Sequence, residues 1–217
     1  MKIKYLALFI ASFASCLFSE EDIQRISEAF GHIICKNLKR IDVEFDMALV
    51  IKGIQDGVME KEPPMTEKEC IQALELVQEK RFMAQSQENL KQAVTFLADN
   101  ADAEGVRSLE GGKVQYRIIK QGNGKAVKPH FVPLLRYTIK KLDGLIIGPP
   151  EEEPVSLDET ISGLKAGLIG MKEGEERILY IHPDLAYGQN GALCVPPNLL
   201  LVVEIEILKA NTKFDRE

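Results

Sequence analysis

The sequence predicts an α+β protein in which an all-helical N-terminal half precedes an antiparallel sheet wrapped on one short helix. Apolar residues recur at helical spacing through most of the first hundred residues, and beyond Gly111-Gly112 their period changes from 3.6 to 2. The charge changes at the same place, because residues 19–110 hold 11 Lys and Arg against 19 Asp and Glu whereas residues 111–217 hold 14 of each. With 217 residues and a net charge of −6, the chain fits two unequal domains and is a poor candidate for binding nucleic acid.

The first 18 residues have the organisation of an export signal. Two lysines precede an apolar run over 5–18, and acidic residues follow it. As a helix this run is about 21 Å long, too short for the ~30 Å hydrocarbon core of a bilayer, so we assign it to a signal peptide. The segment Phe13-Ala14-Ser15-Cys16 is similar to a bacterial lipobox and predicts lipid attachment at Cys16, the alternative being ordinary cleavage that discards this cysteine. Both alternatives predict an exported protein of the periplasm or the outer-membrane surface, and lipid attachment at Cys16 would add a lipid anchor as its only contact with the membrane.

Two short helices and one long helix are predicted before residue 105. The first carries an apolar face over 23–38, and the second, capped by Asp42, carries one over 45–58. About 40 residues cannot bury both faces alone, so we predict a homodimer formed through residues 20–62.

The third helix is predicted to begin at a capping box formed by Thr66 and Glu69. It contains no Gly or Pro, would extend to about Asn100 and would measure roughly 50 Å. Its polar middle, over 79–92, predicts a solvent-exposed link between two bodies, with a coiled coil as the alternative.

Alternating apolar and polar residues predict four strands in the second half, over 114–118, 135–139, 177–181 and 200–208. Before the last two strands, one short amphipathic helix is predicted from Ile161, Leu164, Leu168 and Met171. Antiparallel strands wrapped on one helix make a domain of about 100 residues.

Blocks of sequence in both halves resemble one known family in their order and spacing. In the second half they are Leu135-Arg136-Tyr137-Thr138, Asp143-Gly144, Thr160-Ile161-Ser162-Gly163-Leu164, Met171-Lys172-Glu173-Gly174-Glu175, Pro183-Asp184-Leu185-Ala186-Tyr187-Gly188 and Pro196-Pro197-Asn198. In the helical half they are Gly31-x5-Asn37-Leu38 and Lys52-Gly53-Ile54-Gln55-Asp56. The chain is thereby identified as a member of the FKBP-type peptidyl-prolyl cis-trans isomerases, in the macrophage infectivity potentiator (Mip) group of exported dimeric bacterial proteins.

The resemblance implies a domain order and a set of partners. The order is a signal peptide over 1–18, a helical dimerisation region over 19–64, a connecting helix over 65–104 and an isomerase domain over 105–217. The implied partners are proline-containing client polypeptides and a second copy of the chain, with macrolides as a further ligand class. No cofactor and no metal is implied.

Peptidyl-prolyl isomerisation requires little acid–base chemistry from the residues of such a site. Rotating a peptide bond costs ~18–20 kcal/mol because resonance is lost, so an apolar pocket that holds the prolyl ring and favours the twisted amide is sufficient. The resemblance implies that Tyr187 and the Ile161 backbone N–H hydrogen-bond to substrate carbonyls and that Tyr137 lines the pocket. The residues it implies for substrate binding are Ile147, Gly148, Val155, Thr160, Leu164, Val195 and Val203.

The pocket departs from the family pattern in its polar and aromatic residues. Ile147-Gly148 stands where the family has an aromatic residue and an aspartate, and Leu164 stands where it has an aromatic floor. Aliphatic walls offer no π-face to a prolyl ring. The sequence therefore predicts a peptidyl-prolyl isomerase (EC 5.2.1.8) of weak activity that assists the folding of envelope or secreted proteins. The alternatives are an inactive binding module in which the same cleft holds client segments, and an adhesin-like surface protein that acts through its helical stalk.

Other polar residues are interpreted as structural. The acidic run 151–153 lies beside prolines and predicts a solvated loop. The three histidines are far apart in the chain and lie near no Ser or Cys nucleophile pattern. Cys35, Cys70 and Cys194 lack metal-ligand spacing and are expected to be buried or idle thiols, with an interchain bridge through Cys35 as the alternative.

Overall fold

The computed structural model describes residues 19–41, 43–148 and 150–212. The predicted signal peptide, Cys16 and Asp42 lie outside these residues. Within them, none of the helices combines the length and the hydropathy that a bilayer-spanning segment needs. The chain divides into two compact units, one ending at Gln78 and the other beginning at Glu79.

The first unit holds α1 (Glu20–Arg40), α2 (Met47–Val58) and the first turns of α3 (Glu67–Asn100). Helix α2 begins later than predicted. Asp46 is its N-cap, and the carboxylate accepts hydrogen bonds from the backbone N–H groups of Ala48 and Leu49 at 2.9 and 3.2 Å. The prediction of a cap at Asp42 is wrong, because Asp46 directly precedes the apolar run and can satisfy the first free amides.

The apolar faces predicted for α1 and α2 are present but uncovered in the single chain. Neither helix contains a buried residue. The side chains that are at least half exposed include Ile23, Ile26, Phe30 and Ile33 of α1 and Leu49, Ile51, Ile54 and Val58 of α2.

Helix α3 confirms the predicted capping box and length. The Thr66 N–H donates to Glu69 Oε2 at 2.8 Å, and the Glu69 N–H donates to Thr66 Oγ1 at 3.3 Å. The helix has 34 residues, which is about 51 Å at 1.5 Å per residue.

The second unit is built on a six-stranded antiparallel sheet in the order β1-β2-β5-β6-β3-β4. All four predicted strands are present. The strands are β1 (Val106–Leu109), β2 (Val114–Lys120), β3 (Leu134–Lys140), β4 (Glu151–Pro154), β5 (Glu176–Ile181) and β6 (Leu201–Lys209).

Strands β1 and β4 were not predicted from the sequence. The prediction of a solvated loop over 151–153 is wrong, because Glu151–Pro154 pairs with β3 at the edge of the sheet. Glutamate is depleted in strands and proline is confined to their edges, so this segment has a weak strand signal. Pairing with β3 outweighs that local preference.

Helix α4 (Ser162–Leu168) packs on the sheet through two glycines one turn apart. A Cβ atom at Gly163 would lie 2.2 Å from Ile181 Cγ2, and one at Gly167 would lie 2.4 Å from Leu179 Cδ1. Met171 lies beyond the end of the helix rather than in it, yet it is fully buried in the same core.

The last turns of α3 belong to the second unit and pack on its sheet. Ala93 and Leu97 are buried against Leu200, and the rings of Phe96 and Tyr180 lie 5.0 Å apart. The side chain of Asn198 donates a hydrogen bond to Ser86 Oγ at 2.9 Å. The prediction of a solvent-exposed link over 79–92 is therefore wrong at Ser86, which is 3% exposed.

Candidate functional site

The N-terminus of α4 presents a backbone amide at the border of the core. Ile161 is the N-cap of this helix, in an extended conformation with φ −62° and ψ 144°. Its carbonyl accepts the Lys165 N–H at 3.0 Å, whereas no described residue accepts a hydrogen bond from the Ile161 N–H. Amides of a first helical turn have no partner inside the helix, so this one can bind an external carbonyl oxygen.

The loop that carries Tyr187 is brought to α4 by the missing side chain at Gly163. A Cβ atom there would lie 2.9 Å from the Leu185 carbonyl oxygen, a contact that only glycine permits. Tyr187 follows two residues later and is 38% exposed. No described residue hydrogen-bonds its hydroxyl, which is thus available to a ligand.

The apolar residues expected in the pocket lie along the border of one core. Those that are partly buried against it are Tyr137, Ile147, Val155, Ile161, Leu164 and Val195. Val203 lies within the core, at 2% exposure. Thr160 is half-buried next to Ile161, where its N–H donates to the Ser156 carbonyl at 3.1 Å.

The segment after β3 folds back on the end of that strand. The Ile147 N–H donates to the Ile139 carbonyl at 3.0 Å, which places Ile147 beside β3. Gly148 follows it, and a Cβ atom there would meet no atom within 4 Å. The glycine therefore leaves open space where the family pattern has a carboxylate.

Two carboxylates from β4 meet the hydroxyl of Tyr137. The hydroxyl oxygen lies 2.6 Å from Glu153 Oε1 and 2.9 Å from Glu151 Oε2. In the β3–β4 register Tyr137 faces Glu151 and Leu135 faces Glu153, so both glutamates lie on the core-facing side of the sheet. Burial raises the pKa of the Tyr137 hydroxyl first, and the hydrogen bonds to Glu153 and Glu151 raise it further. The phenol therefore stays protonated.

The glutamate between them belongs to the opposite face. Glu152 accepts a hydrogen bond from Arg136 at 3.0 Å, and the same guanidinium binds Glu206 at 2.7 Å. The alternation of β4 thus puts the ion-paired carboxylate on one face of the sheet and the two tyrosine-bound carboxylates on the other, and all three are exposed.

Sequence reasoning missed Glu151 and Glu153 as residues of this site. The available signal was their spacing of two, which puts both on one face once the segment is a strand. The adjacent prolines outweighed this spacing in the prediction, since prolines favour a loop over a strand.

The cysteines lie outside this arrangement of hydrogen-bonding groups. Cys35, Cys70 and Cys194 are free thiols, with Cys70 and Cys194 exposed. Free, exposed thiols at these two positions agree with the idle form of the expectation and not with burial.

Comparison with known proteins gives matches to both halves of the chain. The family profile described as FKBP-type peptidyl-prolyl cis-trans isomerase matches residues 120–208. The profile described as domain amino terminal to FKBP-type peptidyl-prolyl isomerase matches residues 23–118.

Individual relatives match over most of their length. The peptidyl-prolyl cis-trans isomerase Mip of Chlamydia muridarum is 42% identical over 195 residues, which are 88% of this chain and 79% of the relative. Mip of Chlamydia pneumoniae is also 42% identical, over 88% of this chain and 75% of that protein. The crystal structure of FkpA from Escherichia coli has a TM-score of 0.68 at 24% identity, covers 88% of this chain and 96% of that one, and shows the same fold.

Proposed function

The chain belongs to the family of FKBP-type peptidyl-prolyl cis-trans isomerases, and from this premise we propose that it isomerises X-Pro bonds in exported polypeptides. The proposal assigns the isomerase domain to residues 105–217, the connecting helix to 65–104 and the dimerisation region to 19–64. The proposed substrates are X-Pro bonds of envelope or secreted proteins that are in the course of folding.

The observation that carries the proposal is the Ile161 N–H, an amide without an acceptor among the described residues, at the border of an apolar core. In the proposed reaction Ile161 N–H and the Tyr187 hydroxyl each bind a substrate carbonyl. The side chains of Tyr137, Val155 and Leu164 surround the prolyl ring. An amide that loses resonance also loses polarity, so apolar surroundings favour the twisted state over the planar one.

Proline-limited refolding of a model substrate tests this assignment. We expect the mature protein to accelerate the slow phase, and Ile161→Asp to abolish most of that acceleration because a carboxylate would repel the substrate carbonyl. Tyr187→Phe should lower the rate less, since one hydrogen bond is lost while the ring remains. Ile169→Asp at the other end of the same helix is the matched control, because Ile169 is already exposed. Equal activity of Ile161→Asp and Ile169→Asp would place the reaction elsewhere.

The second candidate is a binding module with little turnover. The replacement of the aromatic floor by Leu164 and of the pocket aspartate by Gly148 favours it. The double variant Gly148→Asp with Leu164→Trp separates the two functions, since the site at Gly148 has room for a side chain. A large gain in rate would show that the native pocket is catalytically impaired, whereas an unchanged rate in an active protein would refute impairment.

The chain is also proposed to form a homodimer through residues 20–62. The uncovered apolar side chains of α1 and α2 support this, because faces of that size are otherwise exposed to water. Sedimentation velocity should give a dimer, and Phe30→Glu should shift it toward monomer. The control Val94→Glu introduces the same charge on an exposed residue of α3 and should leave the mass unchanged. A monomeric wild-type protein would end the proposal.

Export and lipid attachment at Cys16 form the last part of the proposal. Intact-mass analysis of the mature protein from a bacterial envelope decides between lipidation and simple cleavage. A lipidated Cys16 at the N-terminus supports the anchor, and a free N-terminus beyond Cys16 contradicts it.

A further inference from the structure

The hydroxyl of Tyr137 has two acceptors for one hydrogen atom. Both Glu153 Oε1 and Glu151 Oε2 lie within hydrogen-bond distance of it, at 2.6 and 2.9 Å. A phenol donates a single hydrogen, so at any moment only one carboxylate accepts it. Each glutamate can therefore replace the other.

Neither of the two carboxylates makes another hydrogen bond within the described part of the chain. Neither takes part in an ion pair there, whereas Glu152 between them is bound to Arg136 on the outer face. Antiparallel pairing of β4 with β3 fixes the position of both glutamates along the strand relative to Tyr137, because Tyr137 is directly opposite Glu151. Gly148 contributes no side chain that could compete for the phenol.

We propose that Glu151 and Glu153 are positioning residues for Tyr137, which together fix the phenol at the edge of the apolar cleft. The inference rests on the proposed isomerase function and deepens it. A ring held in one orientation before substrate arrives loses no further freedom when the prolyl ring binds. A charge-assisted hydrogen bond from a hydroxyl to a carboxylate is strong enough to select that orientation. The raised pKa of Tyr137 agrees with such a bond.

Isomerase assays on a set of alanine variants test the proposal. Because the acceptors are redundant, Glu151→Ala and Glu153→Ala should each keep kcat/KM within about twofold of wild type. The double variant should lose about tenfold, the equivalent of one hydrogen bond. Glu152→Ala is the matched control on the same strand, since its carboxylate faces the other side, and should leave kcat/KM unchanged. The double glutamine variant keeps neutral acceptors and should recover part of the loss.

The pattern of losses distinguishes positioning from a merely structural role. If each single alanine variant keeps its kcat/KM and the double variant loses it, the two sites are energetically coupled. A general loss of stability on an exposed strand does not produce such coupling. A difference titration against Tyr137→Phe adds an independent readout, in which the double alanine variant should lower the pKa of Tyr137. Additive losses, or a double variant indistinguishable from Glu152→Ala, would overturn the positioning role alone. An inactive wild-type protein would overturn the proposed function and with it any catalytic use of the contact.

Discussion

The guanidinium of Arg177 donates a hydrogen bond to the carbonyl oxygen of Gly167 over 3.0 Å, joining strand β5 to the end of helix α4. The same side chain pairs with Glu175 and lies over the Tyr116 ring, 4.3 Å from its centroid. The side chains of Arg177 and Glu175 are 7% and 4% exposed. The ion pair therefore lies inside the domain and holds the helix that carries Ile161.

Arg177→Met should destabilise the isomerase domain by about 3–5 kcal/mol, because it leaves the Glu175 carboxylate buried without its cation. Urea-induced unfolding followed by circular dichroism measures the change. The control Arg136→Met removes an arginine of two exposed ion pairs and should cost much less, because solvent screens exposed pairs. Equal losses in the two variants would show that burial adds nothing to the Arg177 pair.

Gly163→Ala should reduce stability and activity together. The added methyl would overlap Ile181 Cγ2, so α4 must move away from the sheet and take Ile161 with it. Overpacking of this kind costs about 1–3 kcal/mol. Thermal unfolding and kcat/KM are the measurements. Ser162→Ala, one residue earlier and exposed, should leave both close to wild type, and a Gly163→Ala protein with unchanged kcat/KM would contradict the link between helix position and site.

Leu97→Ala should cost about 2–5 kcal/mol through the cavity it leaves beneath α3. Leu97 is 6% exposed and packs with Ala93 and Leu200. Hydrogen exchange of the backbone amides over 86–100 should accelerate as the last turns of the helix loosen. Val94→Ala is the control, since Val94 is 54% exposed on the same helix and should change stability by under about 0.5 kcal/mol. Unaltered exchange in Leu97→Ala would show that these turns are held by the Asn198–Ser86 contact instead.

The stability of the domain should fall as the pH drops below about 6.5, with His182 as one cause. Burial lowers the pKa of His182 most, the Asp184 carboxylate partly opposes this, and Lys113 adds to the lowering. Its Nδ1 accepts the Asp184 N–H at 3.1 Å, as neutral imidazole does. The unfolded chain therefore binds more protons between the folded-state pKa and about 6.5, so stability is full above this range and is lost as the pH falls through it.

Urea unfolding at a series of pH values from 7.5 to 5 checks this expectation, with about 0.5 unit between points. His182→Gln should flatten the dependence, whereas His32→Gln on the exposed surface of α1 should keep it. A slope that survives in His182→Gln would assign the dependence to other groups.

The local sequence pattern was sufficient to predict the helices and strands that have a strong periodic signal. The alternation at Val114, Tyr116 and Ile118 and the capping box at Thr66 describe interactions between near neighbours in the chain, so the sequence contains them directly. The motif around Tyr187 likewise identified the family, and it predicted a set of site residues. The polar run over 151–153 carried no such signal, because its strand exists only through pairing with β3.

The sequence by itself determined the three N-terminal helices, four of the six strands, the family and the residue types available to the site. Only the tertiary structure decided that Glu151 and Glu153 meet Tyr137 while Glu152 meets Arg136. It also decided that α3 ends packed on the sheet through Ala93 rather than in solvent. The physical reason is that strand register and close packing are set by contacts between distant segments, and a shift of one residue would turn every side chain of β4 to the other face.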